Sequence, residues 1–552
     1  MNKTSGSRVF LSLLKDEGVT HLFRNPGTTE LPLMDALKDH PDLTYVLGLQ
    51  ESVVVTMADG FARASGKLAA CNVHVAPGLG NAMGAIYNAK FTGSPLLITA
   101  GQQEQGHGLT EPVLYDPLVP IATPLVKWAV EITRLEDMPR IVRRAAKIAT
   151  TPPTGPVFLS LPGDVLNDEK GVDLGQSTRV DCLSRPTDDV LARLAARLVK
   201  AERPALLVGH EVVTSDAFDE IARFAEILGA PAYQQTVPYG AHFPSEHPAF
   251  MGALSRDQKE VRKILAEHDL LIVAGADVLR MSVWQETDPL PPELPLVQLG
   301  QLDWEMGKNY PAEIAIRADL KATIEALIPV LETKGGAALG AAAAERLADV
   351  ADRNWSAKRD ARRLQSTSRA AARPVASEWL MMQIVDALPA DAVLVNEGLT
   401  SANSLLDMLP FRDVDGFHAF ASGGIGWAIA AAVGIQLARP ERPLVAVIGD
   451  GSAMYTIQAL WTAAHLNLPI TYVIANNQGY RILMQRLKAF HGNDHFIGMD
   501  IDDPPINFSG LARSFGLTAD RIEEPGEIAG ALKNAIASRR PTLLEVMVER
   551  TV

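Results

Sequence analysis

A chain of 552 residues, 47% hydrophobic and 21% charged, has the proportions of a globular protein of several domains and excludes disorder as its main state. Its formal net charge of −14 disfavours nucleic acid and anionic membrane surfaces as partners. Two cysteines, Cys71 and Cys182, allow at most one disulfide, which points to a reducing, cytoplasmic setting.

In chain order, the first apolar stretch, 9–14, is interrupted by Lys15, Asp16 and Glu17. It reads as an amphipathic helix, not a signal sequence, and no later apolar run is long enough to span a membrane. Short continuous apolar runs then recur at 68–75, 95–100, 156–160, 205–208, 270–273, 393–395, 444–448, 470–475 and 542–547, separated by segments of helical length. Parallel sheets covered on both faces require this alternation. The expected fold class is therefore α/β, with three doubly wound parallel-sheet domains. Composition places a first domain at 1–170, followed by a polar connection, and a central α/β domain at 187–333. The segment 334–373 is rich in Ala, Glu, Arg and Leu, all strong helix formers, and reads as a helical linker. A third domain occupies 374–552.

The most informative segment is 445–480, VAVIGDGSAMYTIQALWTAAHLNLPITYVIANNQGY. A strand runs into Gly449-Asp450-Gly451-Ser452, a helix is expected over 453–466, and a second strand ends in Asn476-Asn477-Gln478-Gly479. Such a unit brings the two strand ends together at the edge of the sheet where ligands bind. The Asp450 carboxylate, the Asn477 amide oxygen and the Gly479 carbonyl are hard donors suited to Mg²⁺. Gly451 and Ser452 open a helix, where phosphate is favoured. The segment reads as a Mg²⁺–diphosphate cradle.

This GDG, followed 27 residues after its Asp by the second Asn of NN, resembles the thiamine-diphosphate-binding motif. The resemblance runs the length of the chain, through FRNPGTTELPLMDAL, LGLQESVVVTMADGFARASG, HVAPGLGNAMGAIYNAK and ASGGIGWAIAAAVGIQLA. It is to the thiamine-diphosphate-dependent 2-oxoacid decarboxylases and acetolactate synthases, nearest the benzoylformate decarboxylase branch. It implies that the three domains are pyrimidine-binding, central and diphosphate-binding. It also implies thiamine diphosphate and Mg²⁺ as cofactors, and active sites shared between subunits of a homodimer, commonly within a tetramer.

Read locally, Glu51 is an acid at a strand-to-helix junction, where the helix dipole would stabilise it. By resemblance it is the glutamate that hydrogen-bonds the pyrimidine N1′ and favours the imino tautomer that deprotonates C2. Apolar surroundings are expected to keep its proton near neutrality. Ile425 matches the bulky residue that bends the cofactor, and Gly423 the carbonyl that accepts from its 4′-amino group. Thr400 and Tyr480 join Gly451 and Ser452 in the implied cofactor-binding set. On the substrate side, His74 matches a proton-transferring histidine and Thr28 a serine that binds the substrate carboxylate.

Two positions depart from the pattern. Ser282 stands where the family branch has a second active-site histidine, and His418 is a candidate to replace it. Arg486 stands where apolar residues would hold a phenyl ring; it is either part of a solvated helix face or a partner for a second anionic group on the substrate. Gly78-Leu79-Gly80 reads as a tight strand-to-helix turn and lacks the acid of a dinucleotide loop. His491 and His495 lack the glutamate of a zinc motif, and Gly209 and Gly275 are too few to argue a nucleotide in the central domain. The implied activity is non-oxidative decarboxylation of a 2-oxo acid through a C2 ylid and an enamine. The alternatives are a carboligase or C–C lyase, and a non-catalytic protein that keeps the cofactor site.

Overall fold

Every apolar run singled out above carries a β-strand in the computed structural model, which describes residues 3–282 and 284–552. Apart from an antiparallel pair, Thr4–Ser5 with Glu169–Lys170, the strands form three six-stranded parallel sheets. The first sheet runs Thr44–Leu47, His21–Arg24, Ala69–Val73, Leu96–Gln102, Val157–Pro162, Ala129–Glu131. The third runs Phe417–Ala419, Val393–Glu397, Leu444–Gly449, Ile470–Asn476, Thr542–Met547, Thr518–Ile522. Numbered along the chain, both have the strand order 2-1-3-4-6-5, whereas the central sheet has 3-2-1-4-5-6. In every sheet the winding reverses beside the first strand, so a crevice opens there at the carboxyl ends of the strands. Among the described residues, no helix is long and apolar enough to cross a membrane.

Three local expectations differ from the structure. The helix expected over 453–466 is two short ones, Asp450–Ala453 and Ala459–His465. Between them the Thr456 hydroxyl donates to the Gly426 carbonyl and ties the segment to a neighbouring loop. The glycines after His74 lie inside the helix Val75–Thr92 instead of in a turn before it. The segment expected as one linker holds the end of Leu320–Asp349, broken at Gly336 (φ 52°, ψ −151°), and a separate helix, Trp355–Ser368.

The outer domains are joined by two helices in close antiparallel contact, Glu51–Ser65 and Ala428–Ala438. A Cβ on Gly60 would lie 2.3 Å from the Ala431 carbonyl oxygen, and one on Gly434 only 1.9 Å from that of Met57. Only glycine lets the backbones approach this closely. At one end of the contact, Trp427 Nε1 donates to Asp59 Oδ2 at 2.6 Å. There the Arg63 guanidinium stacks 4.4 Å from the Trp427 ring centre and donates to the carbonyls of Ala419 (3.0 Å) and Tyr239 (2.7 Å).

Candidate active site

The third sheet builds one half of the site. In its register Ile448 stands between Glu397 and Ile474, so the chain leaves the sheet at Asp450 next to the segments after Glu397 and Asn476. Asp450, Gly451, Ser452, Asn477, Gly479, Tyr480, Thr400 and Ile425 line one small cavity. Asp450 is buried. Its Oδ1 accepts from Gly451 N at 2.8 Å and its Oδ2 from Gly479 N at 3.2 Å. Burial pushes its carboxyl up to about 6 against those amides. Asn477 donates through Nδ2 to Ser401 Oγ at 3.4 Å, while its buried Oδ1 has no partner among the described residues. Gln478, at φ 58°, is held in the left-handed region between them, a cost that persists where surrounding contacts require it. A buried carboxylate beside an amide oxygen with no partner among the described residues suits a hard divalent cation.

The loop carrying Gly423 and Ile425 is fixed from below by Glu397. Its buried carboxylate accepts from Gly426 N and from Ala428 N (2.6 Å). Burial raises its pKa to about 7 against these donors. Gly423, at φ 84°, turns the chain in that loop.

The first sheet builds the other half at its own crevice, between His21–Arg24 and Ala69–Val73. Glu51 is the first residue of its helix, which Gln50 caps by accepting from Ser52 N and Val53 N. Only 6% of Glu51 is exposed. Its Oε1 accepts from Asn25 Nδ2 and its Oε2 from Asn81 Nδ2, both at 3.1 Å. His74 immediately precedes the helix Val75–Thr92, and Val75 is held at φ 40°, an outlier for a β-branched residue. His74 Nδ1 lies 2.8 Å from Glu30 Oε2. Glu30 is fully buried and also accepts from Gly101 N (2.9 Å) and Thr29 Oγ1 (2.8 Å). The hydrogen bond to Glu30 is the main cause that holds the His74 imidazole above its usual range, and desolvation opposes it. Thr28 is exposed at the start of the same loop.

Sequence reasoning thus located Asp450, Asn477, Gly479, Gly451, Ser452, Thr400, Tyr480 and Ile425 around one cavity, and Glu51, His74 and Thr28 around another crevice. It missed Glu30, Asn25, Asn81 and Glu397. FRNPGTTE and NEG contain three of them, but no spacing rule pairs Glu30 with a histidine 44 residues away. His418 does not fill the place of the second histidine. It is buried on an edge strand, and burial followed by the charge of Arg63 pushes its pKa down to about 3. Ser282 lies exposed in the central domain.

The two halves do not meet within one chain. Gly60 faces Ala431, Met57 faces Gly434 and Asp59 faces Trp427, so the joining helices are antiparallel. Glu51 stands eight residues before Asp59, or about 12 Å along the helix axis, on the side away from the Ile425 loop.

Comparison with known proteins gives three family-model matches. They are the thiamine pyrophosphate enzyme N-terminal TPP binding domain at residues 4–112, the central domain at 191–327 and the C-terminal TPP binding domain at 402–546. The chain is 34% identical to benzoylformate decarboxylase of Pseudomonas aeruginosa over 539 residues, covering 97% of each protein. It is 28% identical to a probable acetolactate synthase large subunit of Methanocaldococcus jannaschii, over 99% of this chain and 92% of that one. Among solved structures, a thiamine diphosphate-dependent 4-hydroxybenzoylformate decarboxylase of Rhodococcus jostii superposes with a TM-score of 0.85 at 30% identity, covering 99% of both chains.

Proposed function

The chain belongs to the thiamine pyrophosphate enzymes, and on that footing we propose that it is a thiamine-diphosphate-dependent lyase that decarboxylates a 2-oxo acid without oxidation, as a benzoylformate decarboxylase does. The observation that carries this reading is the imidazole of His74, aimed by Glu30 at 2.8 Å and set in the crevice that holds Glu51. When bound, thiamine diphosphate supplies a nucleophilic carbon and accepts the electron pair released with CO₂. Asp450, Asn477 Oδ1 and the Gly479 carbonyl would hold Mg²⁺. Gly451, Ser452, Thr400 and Tyr480 would hold the diphosphate. Ile425 and the Gly423 carbonyl would fix the angle and orientation of the rings, and Glu51 would hold a proton at the pyrimidine nitrogen. Thr28 would position the substrate carboxylate, and His74 would move a proton to and from the reacting centre.

A second copy of the chain completes the site in this reading. It supports a homodimer that the Glu51 half and the Asp450 half lie on opposite sides of the helix pair. It also supports this that Leu31, Leu49 and Leu109 near one half, and Met454 and Tyr455 near the other, are exposed. Tetramer formation follows the family resemblance.

Ser282 favours a second reading, a carboligase or C–C lyase, because serine does not exchange protons near neutrality as imidazole does. Purified chain with thiamine diphosphate and Mg²⁺ is assayed on benzoylformate, pyruvate and branched 2-oxo acids. Aldehyde with CO₂ supports the first reading, acyloin the second, and no turnover with any donor rejects both. Asp450→Ala should weaken Mg²⁺-dependent cofactor binding at least about tenfold by calorimetry; unchanged affinity would reject the cradle.

A further inference from the structure

Arg24 is the last residue of the strand His21–Arg24 and stands between Leu47 and Asn72 in the register of the first sheet. Its side chain is fully buried. Nη2 donates to the Glu30 carbonyl at 3.4 Å, while Nε and Nη1 have no partner among the described residues. Tyr45, two residues before Leu47 and so on the same face of the sheet, has a buried hydroxyl that is likewise without a partner among them. No carboxylate oxygen of a described residue reaches the guanidinium within hydrogen-bonding distance. A buried cation without a carboxylate in contact is costly, and an apolar chain of similar size would fill the space at less cost. Packing alone does not account for Arg24.

The loop that Arg24 closes does. Arg24 precedes and Glu30 ends the segment that carries Asn25, which holds Glu51, then Thr28, then Glu30 itself, which holds His74. The hydrogen bond from Arg24 to the Glu30 carbonyl ties the two ends of this segment together. Between them the backbone lies directly on the imidazole, since a Cβ on Gly27 would stand 1.9 Å from His74 Nδ1. The Glu30 carboxylate accepts from Gly101 N, Thr29 Oγ1 and His74 Nδ1. The first two donors are neutral, and the third is charged only while the imidazole is protonated. The charged and titratable groups around the pair are Glu51 on the neighbouring helix, Tyr45, whose hydroxyl burial keeps protonated, and Arg24. Arg24 is thus the fixed positive charge among them. The Glu30 hydrogen bond is the main cause that draws a proton to His74, the charges of Glu30 and Glu51 add to it, and burial and Arg24 oppose it. If Arg24 were uncharged, a neutral His74 would leave Glu30 as a buried anion with no cation near it, beside a second acid.

We propose that Arg24 is a positioning residue for His74: it closes the loop on which the imidazole is seated and balances the Glu30 carboxylate, so that His74 gives a proton to the crevice and takes it back without stranding a buried anion. The use made of that proton rests on the 2-oxo acid reading above, which this assignment deepens.

The test follows the His74 ring by NMR in the full chain with thiamine diphosphate and Mg²⁺, its signal identified by loss in His74→Asn, beside kcat/KM against pH. In Arg24→Gln and Arg24→Met the ratio of protonated to neutral His74, at a fixed pH within its titration, should rise roughly three- to tenfold. The acid limb of kcat/KM should move to higher pH with it. Arg24→Lys, which keeps the charge, should return both in part. An unmoved His74 titration in the two uncharged variants overturns the proposal, and so does failure of both to fold, which would assign Arg24 to the fold alone. A shifted His74 in a chain that turns over no 2-oxo acid leaves the Arg24 assignment standing and removes the decarboxylase reading. Turnover with an unmoved His74 does the reverse.

Discussion

Replacing Gly78 with alanine sets the preference of a helix against the position of an acid. Gly78 lies in the first turn of Val75–Thr92, with its N–H bonded to the His74 carbonyl at 2.8 Å. Alanine at a helical site is favoured over glycine by roughly 1 kcal/mol. The added carbon, however, would stand 3.1 Å from Glu51 Oε1 and 3.3 Å from Glu51 Cγ and His74 Cβ. Glu51 has little freedom to swing aside, because Asn25 and Asn81 each hold one of its oxygens at 3.1 Å. The strain is therefore relieved by moving the whole side chain by about 0.3 Å, the shortfall from ordinary contact. If 1 Å of misplacement costs about 100-fold, this shift costs roughly fourfold in kcat/KM. The melting temperature should hold or rise by about 1–2 °C. Decarboxylation kinetics and calorimetry on the same preparation decide the matter. Full activity in Gly78→Ala, or a melting temperature lowered by several degrees, would refute the claim that this glycine serves the placement of Glu51.

Glu51→Gln should lower turnover by at least about 100-fold, the usual scale for a lost proton-transfer group, while cofactor affinity measured by calorimetry changes little. Normal turnover would remove its assigned role. Gly434→Ala drives a methyl group into the Met57 carbonyl and should cost about 2–3 kcal/mol; an unchanged denaturation midpoint would contradict the close helix contact. Glu30→Gln removes the bond that raises the pKa of His74. That bond contributes stability in full below the unfolded histidine value of about 6.5 and loses it as pH rises through the higher folded value. The stability gap between the parent and Glu30→Gln should therefore narrow with rising pH across that window, and the His74 ring should titrate lower in the variant by NMR. A gap that widens with pH would reverse the assignment.

The sheets were legible because continuous apolar runs have few alternatives in an α/β chain. The run at 444–448 became Leu444–Gly449, flanked by the strands that the cradle needs. Asp450 and Asn477 were legible for the same reason, since one strand–helix–strand unit places both. What escaped was non-local. The pairing of Glu30 with His74 depends on His21–Arg24 and Ala69–Val73 being neighbours, which nothing in either segment states. Glu397 looks like an ordinary strand end until its carboxylate is found under Gly426 and Ala428. The burial of His418 was not legible, because nearness in sequence to the Gly423 loop says nothing of it, and the strand Phe417–Ala419 carries the side chain into the core.

The repeated strand order of the outer sheets bears on how catalytic competence is distributed. Each of the two outer wound units offers a notch, one furnished with acid and imidazole, the other with a carboxylate and an amide oxygen. A ligand with a heterocycle at one end and a polyanion at the other needs one notch of each kind, face to face. Each copy holds both kinds but turns them apart, so in the proposed homodimer reciprocity between copies would become the condition for function. Lesions in opposite notches, carried by different copies, would therefore complement each other and restore one intact centre per pair, whereas lesions in the same notch would not.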